Sequence, residues 1–162
     1  MLGSLQHEIG KKQPFSSPEE EAALSLMRTA DRLMGYCDSQ LKSVALTSTQ
    51  YNVLRILRGM SPEPISCQEI ARRMITRDAD LTRLLDRLEC RGLLARGRQS
   101  GDRRVVHIQI TPSGLELLAR LDQVMTEMNR GVFGDFPRRQ LADLIAILEQ
   151  VRAHLEQPKV ST

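Results

Sequence analysis

The sequence predicts a mainly helical chain carrying one small β-hairpin, and three observations predict it. Aromatic residues are 3% of the 162 positions and Trp is absent, while Leu, Ile, Val and Ala dominate a 41% hydrophobic content. That composition suits helix packed on helix better than a sandwich or barrel of aromatic and β-branched strands. Helix starts recur in which a Ser or Thr is followed three residues later by Glu or Gln. One pair of alternating stretches, joined by turn-forming residues, breaks the helical periodicity between Leu93 and Ile110. The length allows one globular core rather than two independent ones.

Ser17-Pro18-Glu19-Glu20 opens the first long helix, with an N-cap Ser, a Pro at the first helical position and a Glu three residues on. Its apolar or small residues Ala23, Leu26, Ala30, Leu33, Cys37 and Leu41 recur at steps of three and four, a stripe that can seat on another helix. Thr47 and Gln50 form a second capping box, with Leu46 and Tyr51 as staple residues. This helix runs to about Leu57 and stops near Gly59, ahead of Pro62 and Pro64. Ser66 and Glu69 form a third, flanked by Ile65 and Ile70. Its helix is held to about two turns by a new start around Thr76 to Asp78. The next helix carries Leu81, Leu84, Leu85 and Leu88 on one face and ends at Arg91-Gly92, where Gly supplies a left-handed cap.

Leu93 to Arg98 reads as a strand, Gln99-Ser100-Gly101-Asp102 as a turn, and Arg104 to Ile110 as the return strand. There Val106, Ile108 and Ile110 alternate with Val105, His107 and Gln109. Thr111-Pro112 starts a further helix to about Val132, and Ser113-Gly114 belongs to that start. The last helix repeats Leu141, Leu144, Leu148, Val151 and Leu155 at spacings of three, four, three and four. Such a heptad-like stripe calls for a partner helix from a second subunit, beside packing on the chain's own helices. A hairpin placed directly after a helix–short turn–helix unit is the order of a winged helix-turn-helix domain.

The charge distribution points to the partner. Residues 66–104 hold ten Arg and no Lys against six acidic residues, so this quarter of the chain is +4 and the remainder −1, within a total of +3. Arg pairs bidentately with phosphate and with guanine, which favours double-stranded DNA. On a helical wheel Ala79, Thr82, Arg83, Asp86 and Arg87 project away from the Leu face. The opposing reading is a solvated face in which Arg83 and Arg87 pair with Asp78, Asp80 and Asp86. The hairpin tip Gly101-Asp102-Arg103-Arg104 decides for DNA, because Arg at a tip without core contacts can enter a minor groove. Asp102 either holds one of these guanidinium groups or stabilises the turn.

The run Leu81-Thr82-Arg83-Leu84-Leu85-Asp86-Arg87-Leu88-Glu89, then Arg91-Gly92-Leu93, Asp102-Arg103-Arg104 and Ile110-Thr111-Pro112-Ser113-Gly114 resembles the signature of the MarR family. The resemblance extends from about Leu46 to Gly114. It implies a homodimeric transcriptional repressor on a pseudo-palindromic operator. Residues 1–16 would be a polar arm, 17–45 an N-terminal dimerisation helix, 46–110 the winged helix-turn-helix domain, and 111–162 the C-terminal dimerisation helices. Thr82, Arg83 and Arg87 match the recognition-helix surface, and Asp102 and Arg104 the Asp-x-Arg pair of the wing, with Arg103 between them. Ser66, Cys67 and Gln68 open the helix laid across the DNA backbone. Family members carry small hydroxyl residues where Arg77-Asp78-Ala79-Asp80 stands here. Arg77 adds a cation there, while the carboxylates repel phosphate or accept from a cytosine amino group.

The resemblance also implies control by a small lipophilic or aromatic ligand in a crevice lined by Leu, Ile and Met. A redox alternative would use Cys37, but its place on an apolar stripe beside Asp38 disfavours a thiolate. A second alternative is a winged-helix protein-interaction module without DNA binding. His7, His107 and His154 are too scattered for a metal site, and no cofactor is expected. No nucleophile elbow or phosphate-binding Gly loop appears, so no enzyme is expected. The odd, widely spaced cysteines Cys37, Cys67 and Cys90, a polar start, and no apolar run of membrane-spanning length predict a cytoplasmic protein.

Overall fold

Local capping accounts for where the helices begin. The computed structural model of the chain describes residues 5–98 and 106–156. A short helix α1 (Leu5–Glu8) precedes α2 (Pro18–Leu41), and Glu8 ties the two by ion pairs of 2.7 Å each to Arg28 and Arg32. At the start of α2 the Ser17 side chain accepts from the Glu20 amide, while the Glu20 carboxylate accepts from the amide and hydroxyl of Ser16. The reciprocal half of the cap is thus displaced by one residue. A 3-10 turn at Lys42–Val44 leads to α3 (Ser48–Met60), where the Thr47–Gln50 capping box closes in both directions. Asp38 of α2 also accepts from the Ser48 amide at 2.6 Å.

The helix-turn-helix unit is α4 (Cys67–Arg73) and α5 (Leu81–Cys90), followed by strands β2 (Leu94–Arg98) and β3 (Val106–Ile110). Two features correct the sequence reading. The second helix starts at Leu81 rather than at Thr76 to Asp78, because Asp80 is its N-cap and Asp78 accepts from the Asp80 amide at 2.8 Å. These acids shape a turn, and Ala79 precedes the helix. The sheet also has a third strand, β1 (Ile65–Ser66), in the antiparallel order β1-β3-β2 with Ile65 opposite Ile108. Two residues are too few for an alternation signal.

Each side of the hairpin is locked to the helix beside it. The end of α5 is a Schellman motif: the Leu93 amide donates to the Leu88 carbonyl, the Gly92 amide to the Glu89 carbonyl, and Gly92 sits at φ +68°. Thr111 caps α6 (Pro112–Phe133) through the Gly114 amide, and its hydroxyl donates to the Gly92 carbonyl at 2.6 Å. Gly114 is required by close approach. A Cβ there would overlap the Leu93 carbonyl oxygen and stand 2.7 Å from Ile110 Cγ1.

Two compact units divide the chain, Met1–Arg120 and Leu121–Thr162. The core of the first is Leu41, Val53, Leu54, Leu57, Ile70, Leu85, Leu88, Leu94, Ile108 and Leu118, all under 3% exposed. In the second, α7 (Arg138–Glu156) has no buried residue. No helix among the described residues is long and apolar enough to cross a membrane.

Candidate nucleic-acid interface

The buried face of α5 dictates what its other face presents. Leu81, Leu84, Leu85 and Leu88 are all at most 9% exposed, which turns Thr82, Arg83 and Arg87 to solvent. Arg83 is held near the helix start, its amide donating to Asp80 Oδ1 at 3.3 Å and its Nε lying 3.1 Å from Asp80 Oδ2. Arg87 and the exposed Arg77, in the turn before α5, carry no ion pair among the described residues. In α4 the half-buried Ser66 is the N-cap, its hydroxyl accepting from the Glu69 amide, and Gln68 is exposed. Glu69 does not return to Ser66. Its carboxylate accepts from Arg72 and Arg73 at 2.5–3.0 Å, and these guanidinium groups, Arg72 first, hold its carboxyl down at about 2. Asp102, Arg103 and Arg104 lie outside the described residues.

Arg96 was not singled out from the sequence. Its Nη1 lies 2.5 Å from Asp86 Oδ1 and 3.3 Å from Glu89 Oε2, while Nη2 donates to the Thr82 carbonyl. Asp86 is therefore half-buried under the hairpin rather than fully outward. A signal was present: Arg96 shares a strand face with the buried Leu94, and an Arg on an inward face needs a carboxylate partner. Arg91 was also missed. Its two terminal nitrogens donate to the carbonyls of Val44 and Ala45 at 2.7 Å, and Ala45 has φ +50°. A contact spanning 46 residues leaves no local pattern.

Beside α5 is a recess of about 350 Å³, lined by Asp38 of α2, Thr47, Thr49 and Gln50 at the start of α3, and Asp78, Asp80, Arg83, Leu84 and Arg87. The volume suits a small ligand. Its lining mixes the carboxylates, hydroxyls, amide and guanidinium groups of these residues with the aliphatic Leu84, because the starts of α3 and α5 bring their capping side chains to it. Arg83 and Arg87 belong to both the recess and the exposed face of α5.

The three cysteines are free. Burial, then the neighbouring Asp38 charge, pushes the Cys37 thiol up, which disfavours the thiolate a peroxide sensor needs. No metal-binding group of His, Cys, Asp or Glu occurs among the described residues.

Residues 46–106 match the model of the MarR family. The chain is 33% identical over 119 residues to the HTH-type transcriptional regulator PecS of Dickeya dadantii, covering 73% of this chain and 72% of PecS. Among solved structures it is similar to a MarR transcription factor from Planctomyces limnophilus, with a TM-score of 0.65, 36% identity, and 85% and 99% of the two chains covered. It shares its fold with Bordetella bronchiseptica BpsR, whose DNA binding is regulated by 6-hydroxynicotinic acid. There the TM-score is 0.73 and the identity 22%, with 82% of this chain and 99% of BpsR covered. Winged-helix geometry, the matched helix-turn-helix and hairpin, and a relative matched over most of its length agree: this chain belongs to the MarR family of transcription regulators and is not an enzyme.

Proposed function

We propose that the chain is a homodimeric repressor that reads a pseudo-palindromic operator and is released by a small ligand. The observation that carries the reading is the exposed row Thr82, Arg83 and Arg87, set on a helix whose opposite face is entirely core. In this reading α5 enters the major groove, where Arg87 and Arg83 meet guanine edges or phosphate. Ser66 and Gln68 at the start of α4 meet the backbone, Arg77 adds a cation from the turn, and Arg103, Arg104 and Asp102 form the minor-groove contact of the wing. The exposed apolar residues Leu26, Met27 and Tyr36 of α2, and Leu144, Ile145 and Ile147 of α7, supply the faces that a second copy covers.

The effector we propose is an aromatic ring bearing polar or acidic substituents, seated in the recess beside α5. The mixed Asp, Thr, Gln and Arg lining favours such a molecule over a purely lipophilic one, and it resembles the ligand of BpsR. Occupancy would engage Arg83 and Arg87 and withdraw them from DNA.

Selection of bound fragments from a random duplex library, followed by a salt titration on the winner, tests the reading. A palindrome with half-sites about 10 base pairs apart and affinity falling steeply with salt are expected. Arg87→Ala and Arg104→Ala should each weaken binding by about 1–3 kcal/mol while leaving the fold intact. No enrichment, or binding indifferent to salt, would sink it in favour of a protein-interaction module.

A further inference from the structure

We infer that Arg96, at the root of the wing, is a positioning residue for DNA recognition that offsets the acidic row of α5 and holds that row to the hairpin. The inference rests on the reading of α5 as the groove-facing helix. Thr82, Asp86 and Glu89 follow one another at spacings of four and three, so they form one ridge beside the ridge of Arg83 and Arg87. The side chains of Asp86 and Glu89 are 49% and 39% exposed, close enough to the solvent face to repel phosphate when uncompensated.

One guanidinium spans that ridge. Arg96 reaches Asp86 at 2.5 Å, Glu89 at 3.3 Å and the Thr82 carbonyl at 3.3 Å, and its own amide donates to the second Glu89 oxygen at 3.3 Å. Its side chain is only 25% exposed, against 77% for Arg83. Burial on this scale, with donors already committed to α5, leaves Arg96 poorly placed to bind phosphate directly. It acts through the helix. Removing it leaves two carboxylates uncompensated beside the recognition row and cuts a side-chain link between α5 and β2.

The test compares wild type, Arg96→Met, and Arg96→Met combined with Asp86→Asn and Glu89→Gln, by salt titration on the selected duplex and by hydrogen exchange of the free proteins. Arg96→Met should weaken binding about tenfold or more, with faster amide exchange in 82–90 and 94–98. The combined variant, lacking the acids, should return to within about threefold of wild type. The slope of log affinity against log salt should stay unchanged in both, whereas loss of a phosphate contact lowers it by about 0.9. Wild-type affinity in Arg96→Met would overturn the inference. So would a reduced slope, since it means that Arg96 touches DNA itself, or a loss that removing the acids does not repair, since offsetting the acids is then not what Arg96 supplies. If wild type binds no duplex, the functional reading fails instead. Unchanged exchange in Arg96→Met then still refutes the link between α5 and β2, and faster exchange upholds that link alone.

Discussion

Helix α5 and the last helix, α7, carry similar leucine patterns and end in opposite environments. In α5 the four periodic leucines are 0–9% exposed. In α7 no residue is buried, and Leu144, Ile145, Ile147 and Leu155 stand at 43%, 56%, 57% and 79% exposed. Periodicity therefore locates an apolar face without saying what covers it. The α5 stripe is covered by the chain that carries it, through the hairpin and the helices packed around it, so its burial belongs to folding. In the α7 stripe Leu144 and Leu155 stay exposed and Leu141, Leu148 and Val151 are only half-buried, an apolar face that, on the proposed reading, a second copy covers.

Core truncation is expected to give the largest effect. Leu88 is fully buried, and Leu88→Ala should cost about 2–5 kcal/mol of stability from lost contacts and the cavity left behind. Thermal unfolding at low and high protein concentration checks it, and the drop should be similar at both. On α7 the readout should change in kind. We expect Leu144→Glu to raise the dimer dissociation constant at least about a hundredfold, or about 2.7 kcal/mol, by placing a charge in an apolar interface. Helicity should be retained. Sedimentation of this variant as a stable dimer would move the interface off α7.

The contrast also explains how much could be read in advance. The buried face of α5, the Thr47–Gln50 box, the Gly92 cap and the Thr111-Pro112 start were legible because each is written within about seven residues of chain. The same locality misled at Thr76 to Asp78, where hydroxyl and carboxylate side chains look like a cap but build the turn before the cap at Asp80. What escaped was long-range: β1 pairing with β3, Arg91 on the carbonyls of Val44 and Ala45, and Asp38 on the Ser48 amide. The exposed row of Thr82, Arg83 and Arg87 followed from the leucine positions alone. Of the acids Asp78, Asp80 and Asp86 set against Arg83 and Arg87 in the opposing reading, Asp86 is held instead by Arg96, ten residues away on a strand.

A smaller effect separates capping from core. Thr47→Ala removes one half of the capping box of α3 and should cost about 1 kcal/mol, several-fold less than Leu88→Ala. Neither side chain belongs to the exposed apolar faces of α2 and α7, so neither change should alter association beyond what reduced folding produces. A Thr47→Ser variant, which keeps the accepting oxygen, should recover most of the loss. If Thr47→Ala costs nothing, the Asp38 carboxylate on the neighbouring Ser48 amide is sufficient to hold the helix start.

The smallest expected effect is a response to acid in the winged region. Glu69 is held at about 2 by Arg72 and Arg73, whereas α7 carries no ion pair among the described residues. A carboxylate whose folded value lies below its unfolded one stabilises the fold while ionised. Its contribution is complete above about 4.5, the unfolded value, and is lost as pH falls from there through about 2. Because the group is at the surface, the contribution is modest and shrinks with salt. Unfolding of wild type and Glu69→Gln should therefore differ most near neutral pH and low salt, with wild type the more stable, and converge as the solution is acidified toward pH 2. A difference constant across that range would show that Gln at 69 acts through packing and not through charge. A difference that instead appears in the dimer dissociation constant would mean that the two regions are coupled, and that the division between folding and association drawn from their leucines is incomplete.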